Sequence, residues 1–119
     1  MLKLPFISIQ LFLDDLSINK GRVDNGWIKD TNSLLLLLRE NKWFGVCLVR
    51  YIKSIGYDTY MYLIDMNTLG IVDKLYVGTY DLFISAGKYF GVIKVYSPNC
   101  LIHSFDVKKV NDSYSLYRV

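Results

Sequence analysis

The sequence predicts an all-β fold, an antiparallel meander of about ten short strands joined by tight turns. Its acidic residues are lopsided: Glu40 is the only Glu beside ten Asp, and Asp favours turns where Glu favours helix. Its apolar residues, 52% of the chain with 15% aromatic, fall in short runs rich in Val, Ile and Tyr, types that suit a pleated surface. One such run is written twice. Lys-Trp-Phe-Gly-Val-Cys-Leu-Val-Arg, from Lys42 to Arg50, returns as Lys-Tyr-Phe-Gly-Val-Ile-Lys-Val-Tyr from Lys88 to Tyr96, with Gly45 and Gly91 46 residues apart. That spacing is the length of a unit of about four strands.

From Leu4 to Leu13, the residues Ile7, Ile9, Leu11 and Leu13 recur at period two and share one face of an expected strand. Asp14 and Asp15 end it, Ser17 to Gly21 is turn chemistry, and Arg22 to Ile28 reads as a short second strand with Val23 and Trp27 two pleats apart. Leu34 to Leu38 are five leucines without alternation. Residues 33–40 are therefore either a strand buried on both faces or a short helix capped by Thr31 or Ser33. Trp43 to Tyr51 is the first copy of the repeated strand, and residues 52–58, with Gly56, form a loop. Thr59 to Ile64 is a Tyr-rich strand, Asp65 to Gly70 supplies a hairpin turn, and Ile71 to Val77 returns antiparallel. Asp81 to Ser85 is a short strand, Ala86-Gly87 a turn, Tyr89 to Tyr96 the second copy, and Ser97-Pro98-Asn99 a tight turn. Cys100 to Val107 leads out, Asn111-Asp112 turns, and Ser113 to Val119 returns.

With the two copies in phase the strands fall into fours. The chain reads as one domain made of a half-unit (1–30) and two units (31–79 and 80–119). The third strand of each unit ends on an apolar-Asp pair, Ile64-Asp65 and Phe105-Asp106, and Leu13-Asp14 followed by Val23-Asp24 parallels Ile64-Asp65 followed by Val72-Asp73. A four-strand unit of this kind resembles a blade of a β-propeller, of the WD-repeat-like and YVTN-like sorts in general. The Gly-His and Trp-Asp signatures of WD repeats do not occur in it. The resemblance implies a rigid platform for protein partners. A closed ring takes at least four blades, so about two and a half imply either that several chains complete the ring or that the strands close as a β-sandwich or barrel.

At 119 residues the chain suits one domain and can bury roughly two-thirds of its unfolded surface. Its net charge of +3 arises from 14 basic and 11 acidic residues without a dense cluster, which gives only a mild pull towards acidic partners. Cys47 and Cys100 both sit in apolar strand patterns and are expected to be free, reduced core thiols in a cytoplasmic setting. Lys3 precedes an apolar run, yet Pro5 and Gln10 interrupt it and no small-residue cleavage site follows, so the start does not read as a signal peptide. No run approaches the roughly 18 residues that span a bilayer, and no membrane partner is expected.

Chemistry-bearing residues are sparse. Cys100, His103 and Asp106 have a metal-like spacing, but odd separations on a strand point to opposite faces. Asp65, Asn67 and Gly70 suggest the opening of a calcium loop without its closing Glu, and a turn explains them. Adjacent Asp14 and Asp15 are poorly placed to share an acid/base task. Neither an enzyme nor a cofactor is expected. The expected function is a non-enzymatic interaction module or scaffold that binds a protein or self-associates through its terminal strands, with Ile7, Ile9, Leu11 and Leu13 as the interface. The alternative is a small nucleic-acid-binding β domain in which Lys42, Trp43, Arg50, Lys88, Tyr89 and Lys94 supply cations and stacking platforms. The Tyr-, Ile- and Asn-rich, Glu-poor composition resembles that of small viral or mobile-element proteins with AT-rich genomes, which implies a host protein as partner.

Overall fold

The computed structural model describes residues 22–23, 26–28, 34–79, 82–87, 89–98 and 100–119, with backbone alone at 22–23, 26–28 and 102. The expected strand of Ile7, Ile9, Leu11 and Leu13, the Asp14-Asp15 pair and Lys88 lie outside the described residues. Ten strands follow one another without a helix among those described: β1 (Arg22–Val23), β2 (Gly26–Ile28), β3 (Leu35–Arg39), β4 (Lys42–Ile52), β5 (Tyr57–Asp65), β6 (Gly70–Gly78), β7 (Phe83–Ala86), β8 (Ile93–Ser97), β9 (Cys100–Val110) and β10 (Ser113–Arg118).

Both sheets are antiparallel. The first runs β1-β2-β4-β5-β6, with β3 also paired to β4; the second runs β10-β9-β8-β7. β3 pairs with Lys42 to Val46 and β2 with Val49 and Arg50, so the two strands share the edge of β4 that β5 leaves free. Arg22 to Ile28 is not the single strand expected. It is two short strands that pair with each other, Arg22 opposite Trp27 and Val23 opposite Gly26. The leucine run is strand rather than helix because both of its faces are used. Leu35 and Leu37 pack into the core between the sheets, while Leu34, Leu36 and Leu38 pack on the opposite face, and a strand covered on both sides shows no alternation.

The inter-sheet core joins Phe44, Val46 and Leu48 of β4 and Met61 and Leu63 of β5 to Ile93, Val95, Phe105, Val107 and Leu116 of the second sheet. The other face of the first sheet buries Trp43, Cys47, Val49, Tyr62, Ile64 and Met66. Four strands of each sheet form a meander, β3 to β6 and β7 to β10, and these stack in the same sense, with β3 beside β7 and β6 beside β10. Ile93 and Val95 lie 46 residues after Cys47 and Val49. They face back towards the first sheet just as Cys47 and Val49 face away from the second.

The repeat is not kept at its most similar residues. Gly45 lies within β4, opposite Leu36 and Ile64, whereas Gly91 and its neighbours Tyr89 and Phe90 form a turn that precedes β8. Phe44 is fully buried and Phe90 is 73% exposed. The second copy is a strand only from Ile93 on. Cys100 is also corrected: it is exposed, unlike buried Cys47, and both thiols are free.

Candidate functional site

The site forms where β3 turns into β4. Arg39 pairs with Lys42 across Glu40 and Asn41, whose φ angles of 50° and 62° give the left-handed pair that a two-residue hairpin turn requires. The Arg39 guanidinium leaves the end of β3 and makes four hydrogen bonds. Nε donates to Asp106 Oδ1 at 3.0 Å, Nη1 to the carbonyls of Leu38 at 2.9 Å and Tyr89 at 2.8 Å, and Nη2 to the carbonyl of Gly91 at 2.9 Å. The Tyr89 carbonyl also accepts the Leu38 N–H at 3.0 Å, and Asp106 Oδ1 accepts its neighbour's N–H, that of Val107, at 2.7 Å. A planar, permanently charged fork suits this task because it holds several acceptors in fixed geometry.

The loop so held is tight. The Gly91 N–H donates to the Gly87 carbonyl at 2.6 Å, and a Cβ on Gly91 would meet the Gly87 backbone at 2.4 Å, so glycine is required by space. Tyr89 turns inward and sets its ring edge-on to Trp43, with centroids 4.9 Å apart and planes at 87°. Phe90, the next residue, turns outward. The two aromatics of one dipeptide therefore have opposite fates, one a wedge and one a displayed ring.

Lys42 and Glu40, both beside the loop, have partners. Lys42 Nζ lies 3.0 Å from Asp65 Oδ2 and over the rings of Phe44 and Tyr114. Burial alone would raise the Asp65 carboxyl, but the Lys42 hydrogen bond and charge, with backbone N–H bonds from Asn67 and Thr68, hold it below the usual carboxylate value. Tyr114 donates to Glu40 Oε2 at 3.1 Å; desolvation first and the Glu40 carboxylate second raise its phenol. Asp73 Oδ2 accepts the Leu116 N–H at 2.8 Å and links β6 to β10.

Of the residues expected to contact nucleic acid, the fold brings Trp43 and Tyr89 together, and Trp43 is 5% exposed. Lys42 and Arg50 share the opposite face of β4, at its two ends, and Arg50 lies 4.2 Å from the centre of the Tyr57 ring. Lys94 stands exposed on the second sheet between Ser85 and Ser104, on the face away from the core. Asp106 binds Arg39, and no group of three metal-ligating side chains occurs among the described residues. The alternation invoked between Cys100 and His103 is itself broken, because the register shifts between Val95 and Tyr96 opposite this stretch. Neither Arg39 nor Phe90 was among the site residues expected from sequence. Arg39 and Asp106 are 67 residues apart, and the only trace of their meeting is the apolar-Asp ending of the third strand. Comparison with known proteins finds no matching family model, curated protein or solved structure.

Proposed function

We propose that the chain is a non-enzymatic protein-interaction module and that Phe90 is the anchor its partner covers. The observation that carries this is a Phe 73% exposed on a loop fixed by Arg39 and by the Gly87–Gly91 hydrogen bond. Large aromatic anchors dominate the energy of protein interfaces, and a loop already ordered in the free protein spares the partner the cost of ordering it. Asp65, Asp73 and Asp106 support the same reading, since each carboxylate is engaged in holding strands or turns. So does the same-sense stacking of two four-strand meanders, the arrangement of blades in an interaction platform of the propeller kind.

Affinity capture with wild type, Phe90→Asp and Phe83→Asp tests the proposal, Phe83 being another exposed aromatic, on β7. The expected result is a defined set of proteins held by wild type and Phe83→Asp and lost from Phe90→Asp. Equal capture by all three overturns it. Fluorescence anisotropy with single-stranded RNA and DNA at two salt concentrations addresses the alternative function. Micromolar, salt-sensitive binding would move the assignment to nucleic acid.

A further inference from the structure

We propose that Lys94 ends the stack of sheets, a charged stop that keeps a second copy of this chain from packing on the outer face of the second sheet. In the first sheet, Leu48 points into the core between the sheets, opposite Met61 on β5. Lys94 lies 46 residues later, the spacing that relates Gly91 to Gly45. Ile93 and Val95, on either side of it, are fully buried against the first sheet. Alternation along β8 therefore turns Lys94 outward, where it is exposed. Because the two meanders stack in the same sense, this outer face is the counterpart of the face on which the second sheet itself sits. A leucine here would repeat the packing surface of the first sheet, and a lysine does not.

The neighbours of Lys94 sharpen the contrast. Ser85 on β7 and Ser104 on β9 stand opposite it, a polar rung where the first sheet has Leu48 and Met61. The adjoining rung is apolar. Phe83, Tyr96 and Leu101 are paired across the same three strands, with Phe83 52% and Leu101 50% exposed. An apolar row left open in this way is prone to be covered, and a charge set beside it prevents that. β8 is an inner strand of its sheet, with β7 on one side and β9 on the other. A sheet laid on this face would lie about 10 Å away and enclose the Lys94 ammonium. Asp106, further along β9, is taken by Arg39, so the enclosed charge would lack a counter-ion from it, and burying an unpaired charge is costly. Terminal units of stacked arrays carry polar outer faces for the same reason. Further chains therefore do not continue the stack through the second sheet. The proposal goes beyond the Phe90 reading and does not depend on it.

Light scattering after size exclusion, over a micromolar concentration series of the full chain, tests this. Lys94→Leu, with circular dichroism unchanged, is expected to associate face to face about a two-fold axis, at concentrations about tenfold or more below any at which wild type does. Lys94→Arg is expected to match wild type. Ser85→Lys added to Lys94→Leu returns a charge to the same rung and is expected to restore the wild-type size. Lys94→Leu that elutes as wild type does at every concentration overturns the proposal. Association of Lys94→Leu that Ser85→Lys leaves in place overturns it as well, since the new contact then lies elsewhere, and so does association of Lys94→Arg to the same extent as Lys94→Leu.

Discussion

Asp65 makes its stability contribution through one lysine and two backbone N–H groups, and pH reads that contribution out. Its folded pKa is below the ordinary 3.8, so the stabilisation is complete above that value and is lost as pH falls through 3.8 towards the lower folded value. Wild type is expected to exceed Lys42→Met by up to about 1 kcal/mol at neutral pH, and urea titrations should show the gap narrowing as pH drops below about 4. The cysteines differ in the same way that their surroundings differ. Burial pushes the Cys47 thiol up to about 12, whereas Cys100 is exposed. A thiol reagent at pH 8 is expected to titrate one sulfhydryl in the native protein and two after denaturation, since only thiolate reacts. Two equally fast native thiols would contradict the burial of Cys47. Sequence patterning alone treats the two alike, because both lie in apolar runs.

The element that most repays perturbation is the Arg39-held loop between β7 and β8. Arg39→Ala removes the partner of Asp106 and a donor to the Tyr89 and Gly91 carbonyls, with an expected cost of about 1–3 kcal/mol. Arg39→Lys is expected to recover little of it, because one ammonium cannot reach that spread of acceptors in a fixed plane. Gly91→Ala forces a Cβ into the Gly87 backbone and is expected to cost about 1–3 kcal/mol by denaturant unfolding. Gly45→Ala should cost less. Its Cβ would meet Met66 Sδ at 2.7 Å and Leu34 Cδ1 at 3.0 Å, both side-chain ends that can shift. The Gly45 strand was legible from its neighbours, since Trp43, Phe44, Val46 and Val49 are aromatic or β-branched residues that suit a strand. The Gly91 loop was not, because the same five-residue pattern is a strand in one place and a turn in the other.

For the whole molecule, the decisive fact is that two sheets share the core between them. Phe105 contributes to it from β9 and is 1% exposed. Phe105→Ala is expected to cost about 3–5 kcal/mol, and Phe90→Ala close to nothing, though both remove the same ring. Paired urea titrations would show this, and a large loss at Phe90 would refute its description as a displayed side chain. Because the two meanders bury their faces on each other, one cooperative transition is expected by both fluorescence and circular dichroism.

Alternation of apolar residues and the Asp, Asn and Gly between them were enough to determine the all-β class, and they located most of the strands and the turns at Asp65 to Gly70 and at Asn111-Asp112. These are properties of neighbouring residues, and a strand's two-residue period is written locally. The tertiary structure alone decided that the leucine run is strand, that Tyr89 is a wedge while Phe90 is displayed, and that Arg39 reaches Asp106. Each depends on which surface arrives from far along the chain to cover a face or accept a hydrogen bond, and a local pattern carries no record of that arrival.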